Sequence, residues 1–378
     1  MANAKDSVTN AVGRRTFLKN GVLAGGAAVG AGLLGSGKPA FSQDRDDDRR
    51  GLTRGDAAIL RFLAAAELIE TDLWTQYAEL GGLTPGQAPV EVTPNFTPMN
   101  SYQAAFMNLD GDGPQYISSN TLDELSHATF LNAYLESKGE EPVDLTPFAN
   151  LQGSTATGAK NIGRLTNLMN LNVDTSWFVR YRSTTNPDFG ATFPQAVTIT
   201  GRTAIPKTDA DFGPDNPTVT NHIQVIANTA AFHFGTIEQG GSSLYAALSR
   251  KVTSEEVLQI TLGIGGDEVT HFLEWVDFAG NGVQPPVAPV TDSGLTFPNF
   301  FTKGPLFQPN LIFPVPAEFI SPNLPHCAAI RPLTDKFAGA RAVVAFLTAM
   351  NLFDGQPNDF FRLLQRMADE ADAARREF

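Results

Sequence analysis

The stretches DELSHATFL (123–131) and DEVTHFLEW (267–275) each place Asp-Glu-x-x-His inside an apolar segment of helical period. A glutamate and a histidine three residues apart share one face of a helix, and here that face otherwise reads as core. Sixteen glutamates and five histidines occur among the 378 residues. Chance then supplies about 0.2 Glu-x-x-His matches, yet the chain has two. A fold that buries such pairs must bring something to cancel their charge.

Partners for the pairs occur on two other helix-like stretches. Glu67 sits among apolar neighbours in AAAELIETDLW, and Glu238 does so in GTIEQGGSSLY. Seven residues after each stands an aromatic, Trp74 and Tyr245. The halves thus repeat one scheme: a helix with Glu and an aromatic at +7, then a helix with Glu-x-x-His. Glu67, Glu124, Glu238 and Glu268 with His127 and His271 supply four carboxylates and two imidazoles. Burying four carboxylates together without compensation is costly, and two divalent cations remove the cost. Oxygen ligands with few imidazoles suit iron(II) or manganese(II), and the lack of thiolates disfavours structural zinc. The single cysteine, Cys327, excludes an internal disulfide and multi-cysteine clusters, and beside Pro325 and His326 it reads as a small apolar filler.

Each assignment has a plainer competitor. Thr121 and Glu124 have the spacing of a capping box, which needs no metal. Glu70 lies one turn beyond Glu67 on the same face and competes with it, or serves as a partner for a ligating imidazole. Asp123 and Asp267 could do the same or simply be solvated. Trp74 and Tyr245 read as core rather than redox relays. His222, His233 and His326 read as surface or hydrogen-bonded core residues. Gly240-Gly241 and Gly265-Gly266 read as close helix packing, with a bulge or an access path to the metals as the alternative.

Apolar periodicity predicts a helix from Asp56, its N-cap, to about Leu80, stopped by Gly81-Gly82. A short helix follows around 101–109, then a long one from about 114–119 to Lys138-Gly139. Residues 140–216, rich in Thr, Asn, Gly and Pro, read as a decorated crossover with a β-hairpin, the strand-like pieces being 176–182 and 195–200. Helical pattern returns over 218–249 and, after RKVTS with a Thr253–Glu256 capping box, runs on to Ala279, which makes those two helices antiparallel neighbours. Residues 281–334 are Pro-rich and read as a surface wrap, and helices are expected over 335–353 and 358–376. The expectation is an all-α fold: a four-helix bundle over 56–280 with one long crossover and extra C-terminal helices over 281–378.

The front of the chain reads as an address. GRRTFLK (13–19), followed by a Gly/Ala-rich apolar stretch, resembles a twin-arginine export signal spanning 1–42, with a flexible spacer over 43–55. That stretch is barely long enough to span a membrane and is rich in Gly, which disfavours a transmembrane helix, so no stable membrane anchoring is expected once the signal is removed. The net charge of −13, near −17 without the signal's five basic and one acidic residues, argues against nucleic acid and anionic lipid as partners.

At Glu67, Glu124, His127, Glu238, Glu268 and His271 the sequence resembles the ferritin-like superfamily, and within it the family that includes the plant desiccation-related proteins. The resemblance covers roughly 56–280, is weak across 140–216 and ends near 285. It implies a dinuclear iron or manganese site in which Glu124 and Glu268 bridge. Glu67 and His127 would complete one ion's shell, and Glu238 and His271 the other's. With the export signal, which places the protein in the periplasm or outside the cell, the leading expectation is a protein acting on dioxygen or peroxide in oxidative or desiccation stress. The rival is a non-catalytic metal-binding or structural protective role. Homo-oligomers are left open, but a 24-subunit shell is not expected with insertions this large.

Overall fold

The first helix starts before its apolar period does. In a computed structural model, which describes residues 51–85, 97–177, 196–282, 288–299, 302, 316–329 and 338–377, α1 spans Arg54–Leu80. Thr53 caps it, its hydroxyl accepting from the N–H of Asp56 at 3.0 Å. Asp56 is therefore not the N-cap. Its buried carboxylate instead accepts from the backbone N–H groups of Thr253 and Ser254 at 2.8 and 3.0 Å, just ahead of α5 (Glu255–Gly282). A carboxylate on the free N–H groups of a helix start stabilises it by about 1 kcal/mol. Thr253 Oγ1 takes up the N–H of Glu377 at 3.0 Å. Glu256 turns to the Tyr134 hydroxyl and Lys138, both at 2.7 Å, rather than to a capping box.

The chain is mainly helical, with short two-stranded ladders on its connections. Beside α1 and α5 run α3 (Gly113–Ser137) and α4 (Asn221–Ser249), with the short α2 (Ser101–Leu109) before α3. α1 packs on α3, and α4 packs on α5 along its length. Thr121 lies inside α3, where its hydroxyl donates to Ile117 O at 2.7 Å, so the capping-box reading of Glu124 is removed. Trp74, Phe234 and Trp275 meet in one aromatic cluster, with ring centroids 4.5–5.2 Å apart, and such pairs add about 0.5–1.5 kcal/mol each beyond burial.

The connection over 140–216 carries two small antiparallel ladders. β1 (Leu151–Gln152) pairs with β2 (Gly163–Arg164), and β3 (Leu171–Val173) pairs with β4 (Ile199–Arg202). The expected hairpin thus uses 171–173, not 176–182: Ser176 and Trp177 form a helical turn, and 178–182 lie outside the described residues. The outer face of α1 anchors this connection. Asp72 accepts from the N–H and hydroxyl of Thr166 at 2.9 and 2.6 Å, and Glu79 pairs with the buried Arg164.

In the C-terminal part, β5 (Val290–Asp292) and β6 (Leu295–Phe297) form a hairpin against α4, and β7 (Pro316–Ala317) pairs with β8 (Cys327–Ala328). Cys327 is exposed, not the packed filler its composition suggested, because β8 is one half of an isolated two-residue ladder. α6 (Ala340–Ala349) and α7 (Asn358–Ala373) are shorter than expected; α7 packs on α1, and Asp372 accepts from the first N–H groups of α6 at 2.9 and 3.0 Å. No described helix is long and apolar enough to cross a membrane. The export-like segment 1–42 and residues 43–50 of the spacer lie outside the described residues.

Candidate metal centre

Glu67 and Glu70 from α1, Glu124 and His127 from α3, Glu238 from α4, and Glu268 and His271 from α5 converge between the long helices. All six residues expected from the sequence come together. Ligand atoms of Glu67, Glu124, His127 and Glu268 lie within 4.8 Å of one another, and so do those of Glu124, Glu238 and His271. Glu124 belongs to both groups. Glu67 and Glu70 do not exclude each other either. Glu67 faces His127 Nδ1 at 3.3 Å, while Glu70 groups with Glu124, Glu238 and Glu268.

Both histidines turn Nδ1 inward. His127 Nδ1 is 3.4 Å from Glu124 and 3.8 Å from Glu268; His271 Nδ1 is 3.1 Å from Glu124 and 3.4 Å from Glu238. Each Nε2 points outward to the aspartate of the other motif: His127 to Asp267 at 3.2 Å, and His271 to Asp123 at 3.3 Å. The aspartates are half-exposed, so each is both solvated and bonded to an imidazole. That exchange explains why both motifs begin with Asp.

The carboxylates are short of donors. Glu67 Oε2, Glu70 Oε2, Glu124 Oε1 and both oxygens of Glu238 and Glu268 are buried with no hydrogen-bond partner, as is His271 Nδ1. The two inward imidazole nitrogens, 3.1–3.4 Å from Glu67, Glu124 and Glu238, are the nearest positive groups to this cluster. Protons answer part of the charge. Burial, reinforced by Glu124, pushes the Glu67 carboxyl up to about 8. Burial and neighbouring carboxylates drive Glu70 and Glu268 well above the usual range. For His127, burial disfavours the cation, but Asp267, Glu124 and Glu67 outweigh it and raise the pKa to about 12. His271 moves up on the same balance, against Glu238, Asp123 and Glu124. Oxygen donors with two imidazoles, crowded and unpaired, fit hard divalent cations.

The aromatics at +7 do different work. Trp74 is core, whereas Tyr245 reaches the cluster, its hydroxyl donating to Glu67 Oε1. Phe234 stands one turn before Glu238 and stacks on Trp74, so Trp74 and Tyr245 close opposite ends of the site. The glycine pairs divide likewise. The helices run unbroken through both, which removes the bulge. A Cβ on Gly241 would lie 2.0 Å from Glu268 Oε2, and one on Gly265 would lie 2.6 Å from Tyr245 Cβ, so these two are packing glycines. One on Gly240 or Gly266 would meet nothing within 4 Å.

Sequence reasoning missed Glu274, three residues past His271. Burial raises its pKa to about 7, and it accepts from Asn120 at 3.4 Å. Its spacing from His271 was the available signal. The other histidines stand apart from the centre. His233 is buried against the Tyr77 hydroxyl at 2.7 Å and held neutral by burial, with a pKa of about 3. His222 bridges Asp211 and Asp292, and His326 is exposed. No family model, no curated protein and no solved structure matches the chain.

Proposed function

We propose that this chain is an exported ferritin-like protein whose four long helices form a bundle around a dinuclear iron or manganese carboxylate centre reacting with dioxygen or peroxide, in a role in oxidative or desiccation stress. The observation that carries this reading is the set of buried carboxylate oxygens without donors, drawn from four helices and flanked by two inward-facing imidazole nitrogens. Glu124 and Glu268 would bridge; Glu67 with His127, and Glu238 with His271, would complete the two shells. Two adjacent ions, each changing charge by one, would supply the two electrons that an O–O unit accepts.

The chain's own residues prepare that chemistry. Asp123 and Asp267 hold the outer imidazole nitrogens, fixing ring orientation. The Tyr245 hydroxyl anchors Glu67, and the aromatic cluster of Trp74, Phe234 and Trp275 keeps water from one end.

Metal analysis of protein purified through its own export route, together with its rate of peroxide or dioxygen consumption, tests the reading. Two ions per chain and turnover that falls in a Glu67→Ala, Glu238→Ala double variant are expected. Metal below about 0.3 per chain would reject the centre, a threshold far under the stoichiometry of a resident site. Export is tested separately: Arg14→Lys with Arg15→Lys should leave full-length protein in the cytoplasm. A non-catalytic metal-binding role is favoured by one observation, the full enclosure of Glu124, Glu238 and Glu268, and metal without turnover would select it.

A further inference from the structure

Glu70 has a second neighbourhood besides the carboxylates. Among the described residues it is the one ionisable group lining a small cavity, open to solvent on one side, between α1, α4 and α6. Ile69 and Leu73 of α1, Leu244 of α4, and Val343 and Leu347 of α6 form much of the rest. No histidine among the described residues lines it. Gly240 and Gly241 both line it: an added Cβ at the half-buried Gly240 meets nothing within 4 Å, while at Gly241 it would touch Glu268 Oε2. The cavity therefore runs from the C-terminal helix to the backbone beside the carboxylates. Of the three helices only α6 lies outside the stretch that supplies every ligand.

A polar solute entering this space surrenders its hydrogen bonds to water and finds a single carboxylate in return, a loss that apolar walls do not repay. A small apolar molecule gives up nothing. Walls this apolar accept apolar guests such as xenon.

We propose that this cavity is the access and holding site for dioxygen beside the carboxylate cluster, with α6 as its outer wall. The proposal rests on the dinuclear reading and deepens it, because it selects dioxygen over peroxide as the reactant that the apolar path admits.

Two variants test it on the full metal-loaded chain. Gly240→Leu adds bulk on the α4 side, where open space and better helix propensity favour folding; Leu347→Trp adds it on the α6 side. Xenon-pressurised crystals of the wild type should hold xenon between Leu73, Leu244 and Val343, and both variants should exclude it. In the assay, two iron(II) are oxidised per dioxygen, which takes up two protons from water and leaves as hydrogen peroxide. The KM for dioxygen should rise at least roughly tenfold, while metal content and the rate with added hydrogen peroxide stay within about twofold, as expected when access alone is altered. Xenon absent from the wild type, an unchanged KM for dioxygen in a variant that excludes xenon, or equal loss with both oxidants would overturn the proposal. Xenon bound by a wild type that holds no metal would remove the dinuclear reading while leaving the cavity as a gas-binding site.

Discussion

Asp267 holds His127 across the interface between α5 and α3, its Oδ2 3.2 Å from the imidazole Nε2. The bond is returned by Asp123, which holds His271 at 3.3 Å. Each five-residue motif thus contains a ligand pair for its own helix and an acceptor for the histidine of the other. Neither motif completes its imidazole alone, so the two halves of the chain are joined at the site itself.

Replacing either aspartate should therefore weaken the ion bound by the opposite motif. Asp267→Asn and Asp123→Asn are each expected to lower the affinity of one ion about 10–100-fold. Competition titration against a chelator measures this, and wild-type affinity in both variants would reduce the aspartates to surface charges.

Buried carboxylates without donors burden the metal-free protein. Glu268→Gln keeps the side chain's size and resembles the protonated acid without the cost of taking a proton from neutral solution, so the metal-free variant should be more stable than the metal-free wild type by roughly 1–3 kcal/mol. The same change should abolish most metal binding. Calorimetric melting with and without metal reads both effects; a metal-free variant that melts lower than the wild type would contradict the argument.

Protons and metal compete for the cluster. Glu67, with a folded pKa of about 8, and Glu268 and His127, also raised, hold protons in the folded state that the unfolded chain has released. Between the ordinary carboxylate pKa and about 8 the metal-free protein should lose stability as pH rises. Metal binding expels those protons, so affinity should increase over the same window. Titration calorimetry in buffers of different ionisation heat should register proton release; identical heats in all buffers would disprove it.

Gly241→Ala tests how closely the backbone approaches the ligands. Its Cβ would stand 2.0 Å from Glu268 Oε2, so the carboxylate must move although alanine favours the helix by about 1 kcal/mol. Retained helicity with the loss of at least one ion is expected, and circular dichroism beside metal analysis checks it. Full occupancy would show that Glu268 has room to spare.

The parts of the site that sequence revealed were those set by spacing along one helix. Glu-x-x-His placed two ligands on one face, and apolar neighbours marked Glu67 and Glu238 as inward. Relations across helices left weaker traces. Glu70 looked like a rival of Glu67 because both occupy one face; only packing shows that the cluster is wide enough for both. Tyr245 read as core because a hydroxyl's partner, Glu67, is 178 residues away. The two tail helices and both long pairs followed from apolar period. The start of α1 did not, because Thr53 and Asp56 are equally good caps in isolation, and what decides between them is the position of Ser254.

Thr253 gives its N–H to Asp56 and receives that of Glu377. A Cβ on Gly55 would lie 3.3 Å from that of Ala374. The outermost helices of the described chain therefore begin and finish side by side, at the turn where α4 reverses into α5. Order along the polypeptide is then separable from architecture. A short linker from residue 377 to residue 53, with a new opening at the exposed Gly139, should rearrange the covalent sequence while leaving the Thr53 cap and the helix contacts where they are.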